Sequence, residues 1–188
     1  MVIHVSKGAA LFLHGPPPSR VAKNVLAVRW VRTEDIQKKL DDVTMDRIDE
    51  GIKVDAGWSS CTRLFAETAK HKSAELRFVH GVKWEDTPVF EEYRSLFARG
   101  NSVRGQKNLR ELVGYYERRM DRLFRQIESE GLSKWVVYRS PVEELPWVAI
   151  GPNREPIFGS QGNHRLSIAK ILGLKRFPVR VKLRLPVS

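Results

Sequence analysis

The sequence predicts a mixed α+β protein, because strand and helix patterns alternate in its C-terminal third and helical patterns dominate before it. Residues 156–158 end an apolar run, and Gly159–Gly162 interrupt it with turn-forming residues. From Asn163, apolar residues recur at helical spacing until Gly173, which stands where a C-capping glycine is expected. Alternation of apolar and basic residues over 177–184 then predicts a strand.

Two helical segments are predicted before this unit. Thr87 as N-cap and Pro88 at the first helical position open a helix that ends at Gly100. Residues 106–130 read as one long amphipathic helix, or two abutting ones, ended by Gly131.

Shorter elements are predicted from weaker patterns. Thr33 is expected to cap a helix over 33–40, and residues 76–80 read as a short strand or a buried connection. Three further apolar runs predict strands, over residues 24–31, 134–139 and 147–150.

Charge and composition limit the partners. The chain carries a net charge of +11, and residues 117–188 hold 14 basic and 7 acidic side chains. This surplus favours a polyanionic partner, which is a nucleotide, a nucleic acid or a phosphorylated substrate. No apolar run approaches the roughly 20 residues of a membrane span, so a soluble cytoplasmic protein without a membrane partner is expected. A single cysteine, Cys61, excludes an internal disulfide.

The strongest chemical signal lies at the start of the last predicted helix. Gly162, Asn163, His164 and Arg165 would bring free backbone N–H groups, the positive end of a helix dipole and a guanidinium to one place. That combination favours a phosphate or another oxyanion. The alternative is a glycine turn capped by Asn163, with His164 and Arg165 in solvent.

The segments DRLFRQIESEGLSKWVVYR and EPIFGSQGNHRLSIAKILGLKRFPVRV together resemble the ParB/sulfiredoxin-like domain. The resemblance covers roughly residues 118–184, and WEDTPVF before it is similar to a group of uncharacterised prokaryotic proteins that carry this domain at their C-terminus. It implies a small mixed-sheet domain over residues 117–188, preceded by a mainly helical accessory region over residues 1–116.

The resemblance also implies a nucleotide site, which holds the phosphates of CTP or ATP in that superfamily. We therefore expect ATP, ADP or CTP as the ligand, with Mg²⁺ as a candidate companion. The residues implied to bind it are Ser160, Gln161, Gly162, Asn163, His164 and Arg165.

Three departures argue against the best-known activities of this fold. Asn163 stands where sulfiredoxins carry a reactive cysteine, and Leu166 replaces a second arginine of the ParB turn. No helix-turn-helix pattern follows the last strand. Three functions stay open: a phosphotransferase acting on a small molecule, a non-catalytic regulatory module that binds a nucleotide, and a nucleic-acid-binding protein or nuclease.

A phosphotransferase would need a general base and usually a magnesium ligand. Glu143 and Glu144, in the loop between two predicted strands, are the first candidates, and Glu128 and Glu130 are alternatives. His164 has a suitable pKa range for a base, although a histidine beside a phosphate can also act only as a hydrogen-bond donor.

Overall fold

A mixed six-stranded sheet with helices on both faces organises the chain. The computed structural model describes residues 28–52, 54, 56–132, 141 and 144–184. The strands are β1 (Val28–Arg32), β2 (Lys38–Leu40), β3 (Thr62–Leu64), β4 (Trp147–Ile150), β5 (Pro156–Phe158) and β6 (Arg176–Arg184). The helices are α1 (Asp42–Asp49), α2 (Ala69–Phe78), α3 (Pro88–Ala98), α4 (Leu109–Tyr116), α5 (Arg122–Glu130) and α6 (Asn163–Ile171).

The strands lie in the order β1-β6-β4-β5-β2-β3. The pairs β2–β5 and β4–β6 are parallel, and the other neighbours are antiparallel. Strands from both predicted regions thus pair in one sheet. The predicted division between residues 116 and 117 therefore does not coincide with a boundary of the sheet, and it falls inside a continuous helix.

Each face of the sheet has its own apolar core. The first face is covered by α6, and its buried cluster comprises Ile36, Phe65, Val148, Phe158, Leu166, Ala169, Phe177 and Val179. The opposite face is covered by α1, whose Met45 and Ile48 pack against Leu40, Trp58, Trp147, Ala149 and Ile157. Side chains of neighbouring positions in β4 and β5 alternate between the two clusters, as the pleat of a strand requires.

A third core holds the central helices together. Its members come from α3, α4 and the segments beside them: Trp84, Val89, Phe90, Tyr93, Val103, Leu112, Tyr116 and Met120. The predicted helices are confirmed here, since Pro88 is the first residue of α3 and α4 runs into α5 through a π-helical turn over Glu117–Asp121. Gly131 ends α5 with a φ of 69°.

Two predictions from the first half of the chain are wrong. Residues 33–40 do not form a helix: a single 3₁₀ turn, Thr33–Asp35, is followed by β2. Pairing of Lys38 and Lys39 with Ile157 and Phe158 in β5 outweighs their helical propensity. Residues 76–80 are not a strand but the end of α2 and the turn after it.

The C-terminal predictions at 147–150, 156–158 and 163–173 are confirmed. The predicted strand over 134–139 lies outside the described residues. Within the part of the chain that the structure describes, no helix combines the length and apolar character needed to cross a bilayer.

Candidate anion-binding site

The chain leaves the sheet in two different directions at the carboxyl ends of β2 and β5. The two strands are parallel neighbours. After β2 the chain enters α1 on one face of the sheet, whereas after β5 it enters α6 on the other. Such a divergence is a topological switch point, the place at which open α/β sheets commonly bind ligands.

A tight turn connects β5 to α6 at this point. Gln161 and Gly162 both have left-handed backbone angles, with φ of 59° and 77°. A Cβ atom on Gly162 would lie 2.7 Å from Cγ of Pro146, and one on Gly159 would lie 2.3 Å from the ring of Trp147. Close packing therefore requires glycine at both positions, and at Gly162 the backbone conformation favours it as well.

The first turn of α6 presents unpaired backbone donors. Among the described residues, the N–H groups of Asn163, His164 and Arg165 have no carbonyl acceptor. The side-chain oxygen of Asn163 is buried and likewise lacks a partner within the described part of the chain. This end of the helix is suited to binding an anion. Because helix N-termini of this kind are common, the side chains around it determine whether it is a binding site.

His164 lies in the interior, and its side chain is held by a network of aromatic hydroxyls and one arginine. Its Nε2 is 3.3 Å from a terminal nitrogen of Arg104 and 3.4 Å from the hydroxyl of Tyr116. The hydroxyls of Tyr116 and Tyr93 are 2.7 Å apart. Because arginine can only donate, Nε2 must accept, which places the ring proton on Nδ1.

Burial, followed by the charges of Arg104 and Lys70, lowers the pKa of His164 to about 3. The imidazole is therefore neutral at physiological pH. Its Nε2 faces Arg104, so His164 orients the guanidinium and is poorly placed to accept a proton from a substrate.

Arg104 reaches this network from the tip of a two-residue hairpin. Val103 and Gln106 exchange backbone hydrogen bonds of 3.1 and 2.9 Å, and Arg104 and Gly105 between them have φ of 53° and 75°. This is the conformation of a type I′ turn, which a residue such as arginine adopts only at a cost. The guanidinium lies 5.8 Å from the centre of the Tyr116 ring, a distance typical of a cation–π contact.

Lys70 is the second cation of the site and stands in the first turn of α2, which packs against α6. Burial lowers its pKa, and so do the charges of Arg104 and Lys39. Lys70 forms no hydrogen bond or salt bridge with any described residue. Lys39, by contrast, is paired: its Nζ lies 3.0 Å from Oδ1 of Asp42.

The site therefore has an excess of positive charge. Neither Arg104 nor Lys70 forms a salt bridge to a carboxylate of the described residues. Arg104 contacts the neutral His164 and the charge of Lys70 acts on the same ring, beside the positive end of a helix, so an anion bound here would be attracted by both cations. The arrangement is electrostatically suited to a phosphate group.

The residues predicted from the sequence are distributed around the turn. The Ser160 hydroxyl accepts from Nε1 of Trp147 and donates to Asp49, both at 2.8 Å, so it is already engaged. Arg165 donates to the backbone carbonyl of Glu144 at 3.1 Å. Gln161 and Glu144 are exposed, and Glu143 lies outside the described residues.

Sequence reasoning did not find Lys70, Arg104, Tyr93 or Tyr116. All four come from helices or a hairpin far from the turn in sequence, and only the fold brings them to His164. The one local signal was Gly105 directly after Arg104, which is typical of a tight hairpin turn.

Comparison with known proteins adds no family to this picture. No family model matches the chain, and neither a curated protein nor a solved structure shows significant similarity to it.

Proposed function

We propose that this protein binds the phosphate groups of a nucleotide at the first turn of α6, between Lys70 and Arg104. One observation carries the proposal: Arg104 contacts the neutral His164 at the start of α6, the charge of Lys70 acts on the same ring, and neither cation has a carboxylate partner among the described residues. Clusters of like charge with perturbed pKa values are typical of ligand sites.

The identity of the ligand as a nucleotide rests on the resemblance to the ParB/sulfiredoxin-like domain, in which this glycine turn holds the phosphates of CTP or ATP. The unpaired N–H groups of Asn163, His164 and Arg165 would contact phosphate oxygens, and Lys70 and Arg104 would neutralise them. The described residues contain no cluster of three metal-ligating side chains, and the proposal assigns no protein ligand to Mg²⁺.

Binding without turnover is the form of the proposal that the geometry supports best. His164 has a pKa of about 3 and a ring nitrogen committed to Arg104, so it is a poor general base. Glu144 is exposed and meets the turn through its backbone carbonyl, which accepts from Arg165.

A thermal-shift panel tests the proposal. The ligands are ATP, ADP, CTP, pyrophosphate and inorganic phosphate, each with and without Mg²⁺, and a short single-stranded RNA. The proteins are the wild type, Lys70→Gln, Arg104→Gln and the matched control Arg110→Gln, which changes an exposed arginine of α4.

A phosphate compound near 100 times its dissociation constant should stabilise the wild type and the control by about 2.7 kcal/mol. The shift should be much smaller in Lys70→Gln and Arg104→Gln. If no phosphate compound shifts the wild type, or if only the RNA does so with a steep dependence on salt, the proposal is wrong.

A further inference from the structure

A second group of positive charges lies at the other end of α6 from the candidate anion site. There the chain turns at Gly173, which has a φ of 63°, and enters β6 at Arg176. A cleft of about 660 Å³ separates this turn from the 3₁₀ turn Thr33–Asp35. We call it the basic cleft, because its lining includes one carboxylate, Glu34, and four cations: Arg32, Lys170, Lys175 and Arg176.

Hydrogen bonds to the backbone hold the two walls of the basic cleft together. The N–H of Thr33 donates to the carbonyl of Lys175 at 3.1 Å, and Nζ of Lys170 donates to the carbonyl of Thr33 at 3.1 Å. Thr33 is buried and Lys170 is half-buried. The cleft is therefore part of the packed structure, and the ammonium of Lys170 already has an acceptor.

The charges at the mouth of the basic cleft are only partly balanced. Arg32 and Arg176 lie directly opposite each other in the antiparallel pair of β1 and β6, where like charges are destabilising. Arg32 is compensated by salt bridges to Glu34 and Asp35 of 3.1 and 2.9 Å. Lys175 and Arg176 are exposed and form no salt bridge with a carboxylate that the structure describes. A surplus of positive charge thus remains at the start of β6.

A second cleft, of about 450 Å³, shares Arg32 with the first and adds the cations Lys38 and Arg154. No aromatic ring is among the described residues that line either cleft, so neither offers a stacking platform for a base. A ligand would be held by its charge. Exposed ionic contacts are individually weak, and a polymer with a phosphate in every unit makes several of them at once.

We propose that the basic cleft binds the phosphate backbone of a single-stranded nucleic acid without sequence preference. A concave surface of this width suits one flexible strand, and the net charge of +11 attracts such a strand from a distance. The inference does not rest on the nucleotide site, because the cations of the basic cleft are different residues.

Fluorescence anisotropy with the full-length protein tests the inference. The probes are a labelled oligouridylate and a labelled oligothymidylate of about 20 nucleotides, which exceeds the usual site size of a single-strand binding domain. Binding is measured between about 50 and 200 mM salt. The cleft variant is Lys175→Gln/Arg176→Gln, and the matched control Lys72→Gln/Arg110→Gln removes two exposed charges elsewhere.

The wild type and the control should bind both probes with similar affinity. The cleft variant should bind at least about tenfold more weakly, because it loses two charge-assisted contacts. Its plot of log affinity against log salt should be shallower by about 1.4, since each phosphate contact contributes about 0.7. The charge-preserving variant Lys175→Arg/Arg176→Lys should retain most of the affinity.

Three results would overturn the inference. They are no binding of either probe by the wild type, equal weakening in the cleft variant and the control, and binding to phosphatidylserine vesicles but to neither probe.

Variants of the two sites separate this inference from the proposed function. The cleft variant should keep its thermal stabilisation by nucleotides, and Lys70→Gln/Arg104→Gln should bind the oligonucleotides as the wild type does. Loss of oligonucleotide binding in Lys70→Gln/Arg104→Gln alone would assign the strand to the first turn of α6 and reject the inference. Loss of nucleotide binding without loss of oligonucleotide binding would leave the basic cleft standing.

Discussion

Two polar clusters lie on either side of the turn that joins β5 to α6, and they differ in how their charges are balanced. On the side of α1, Asp49 pairs with Lys182 and accepts from Ser160, which in turn accepts from Trp147. On the side of α2, Arg104 contacts His164 and the charge of Lys70 acts on the same ring, and neither cation has a carboxylate within salt-bridge distance among the described residues. We expect the cluster of Asp49, Lys182 and Ser160 (the paired cluster) to contribute to stability, and we propose that the cluster of Lys70, Arg104 and His164 (the unpaired cluster) binds a ligand.

The largest expected effect concerns the neutral histidine of the unpaired cluster. With a pKa of about 3 when folded and an ordinary value of 6.5, His164 takes up a proton on unfolding between these pH values. Because the unfolded state then binds the extra proton, His164 makes the free energy of unfolding decrease as the pH falls below 6.5, by up to about 1.4 kcal/mol per pH unit.

In His164→Gln, the loss of stability between pH 7 and pH 4.5 should be smaller than in the wild type by about 2–3 kcal/mol. Urea unfolding at the two pH values measures this difference. Equal losses in both proteins would show that His164 is protonated in the folded state.

The paired cluster should affect stability at a lower pH than His164 does, and it should not affect ligand binding. Burial acts to raise the pKa of Asp49, but hydrogen bonds from Lys182 and Ser160 and the charge of Lys182 lower it overall. The stability that Asp49 provides is thus present above its ordinary pKa near 4 and is lost as the pH falls through the lower folded value.

Asp49→Asn should lower the free energy of unfolding at pH 7 by about 1–2 kcal/mol, because it removes the partner of Lys182 and weakens that of Ser160. Asp46→Asn, an exposed position on the same helix, serves as the control and should change little. If Asp49→Asn is as stable as the wild type but binds nucleotide more weakly, the assignment of stability to one cluster and of ligand binding to the other is wrong.

The smallest expected effect is a gain in the free energy of unfolding rather than a loss. Lys70→Gln should stabilise the ligand-free protein by up to about 1 kcal/mol, since it removes a half-buried charge that burial and the charges of Arg104 and Lys39 disfavour. Because the folded pKa of Lys70 is lowered, its penalty is present below that pKa and fades as the pH rises toward 10.5. The gain from the substitution should therefore shrink at high pH.

Denaturant unfolding at pH 7 and pH 10 checks this result, with the exposed Lys72→Gln as the matched control. A Lys70→Gln variant less stable than the wild type at pH 7 would contradict the view that the unliganded cluster carries excess charge.

The local parts of this structure could be predicted from the sequence because they depend on neighbouring residues. Glycine and proline signals located the start of α3, the end of α5 and the turn before α6. Strand β2 could not be found in this way, since three residues with two lysines become a strand only through pairing with β5. The π-helical turn after Tyr116 had no sequence signal either.

The candidate site was predicted only in part for the same reason. The first turn of α6 was recognised as a place for an anion, but the direction of each side chain there depends on tertiary contacts. His164 faces Arg104 and Tyr116, and the Ser160 hydroxyl faces Asp49. The two cations that lack a carboxylate partner among the described residues come from α2 and from a hairpin, which only the folded chain brings together.

Isothermal titration calorimetry with the nucleotide that gives the largest thermal shift tests the central claim most directly. We expect wild type and Asp49→Asn to bind with equal affinity. The double variant Lys70→Gln/Arg104→Gln should bind at least about 100-fold more weakly, because it loses two charge-assisted contacts of about 1.5–3 kcal/mol each. Unchanged affinity in the folded double variant would contradict the account, because the phosphates would then lie elsewhere.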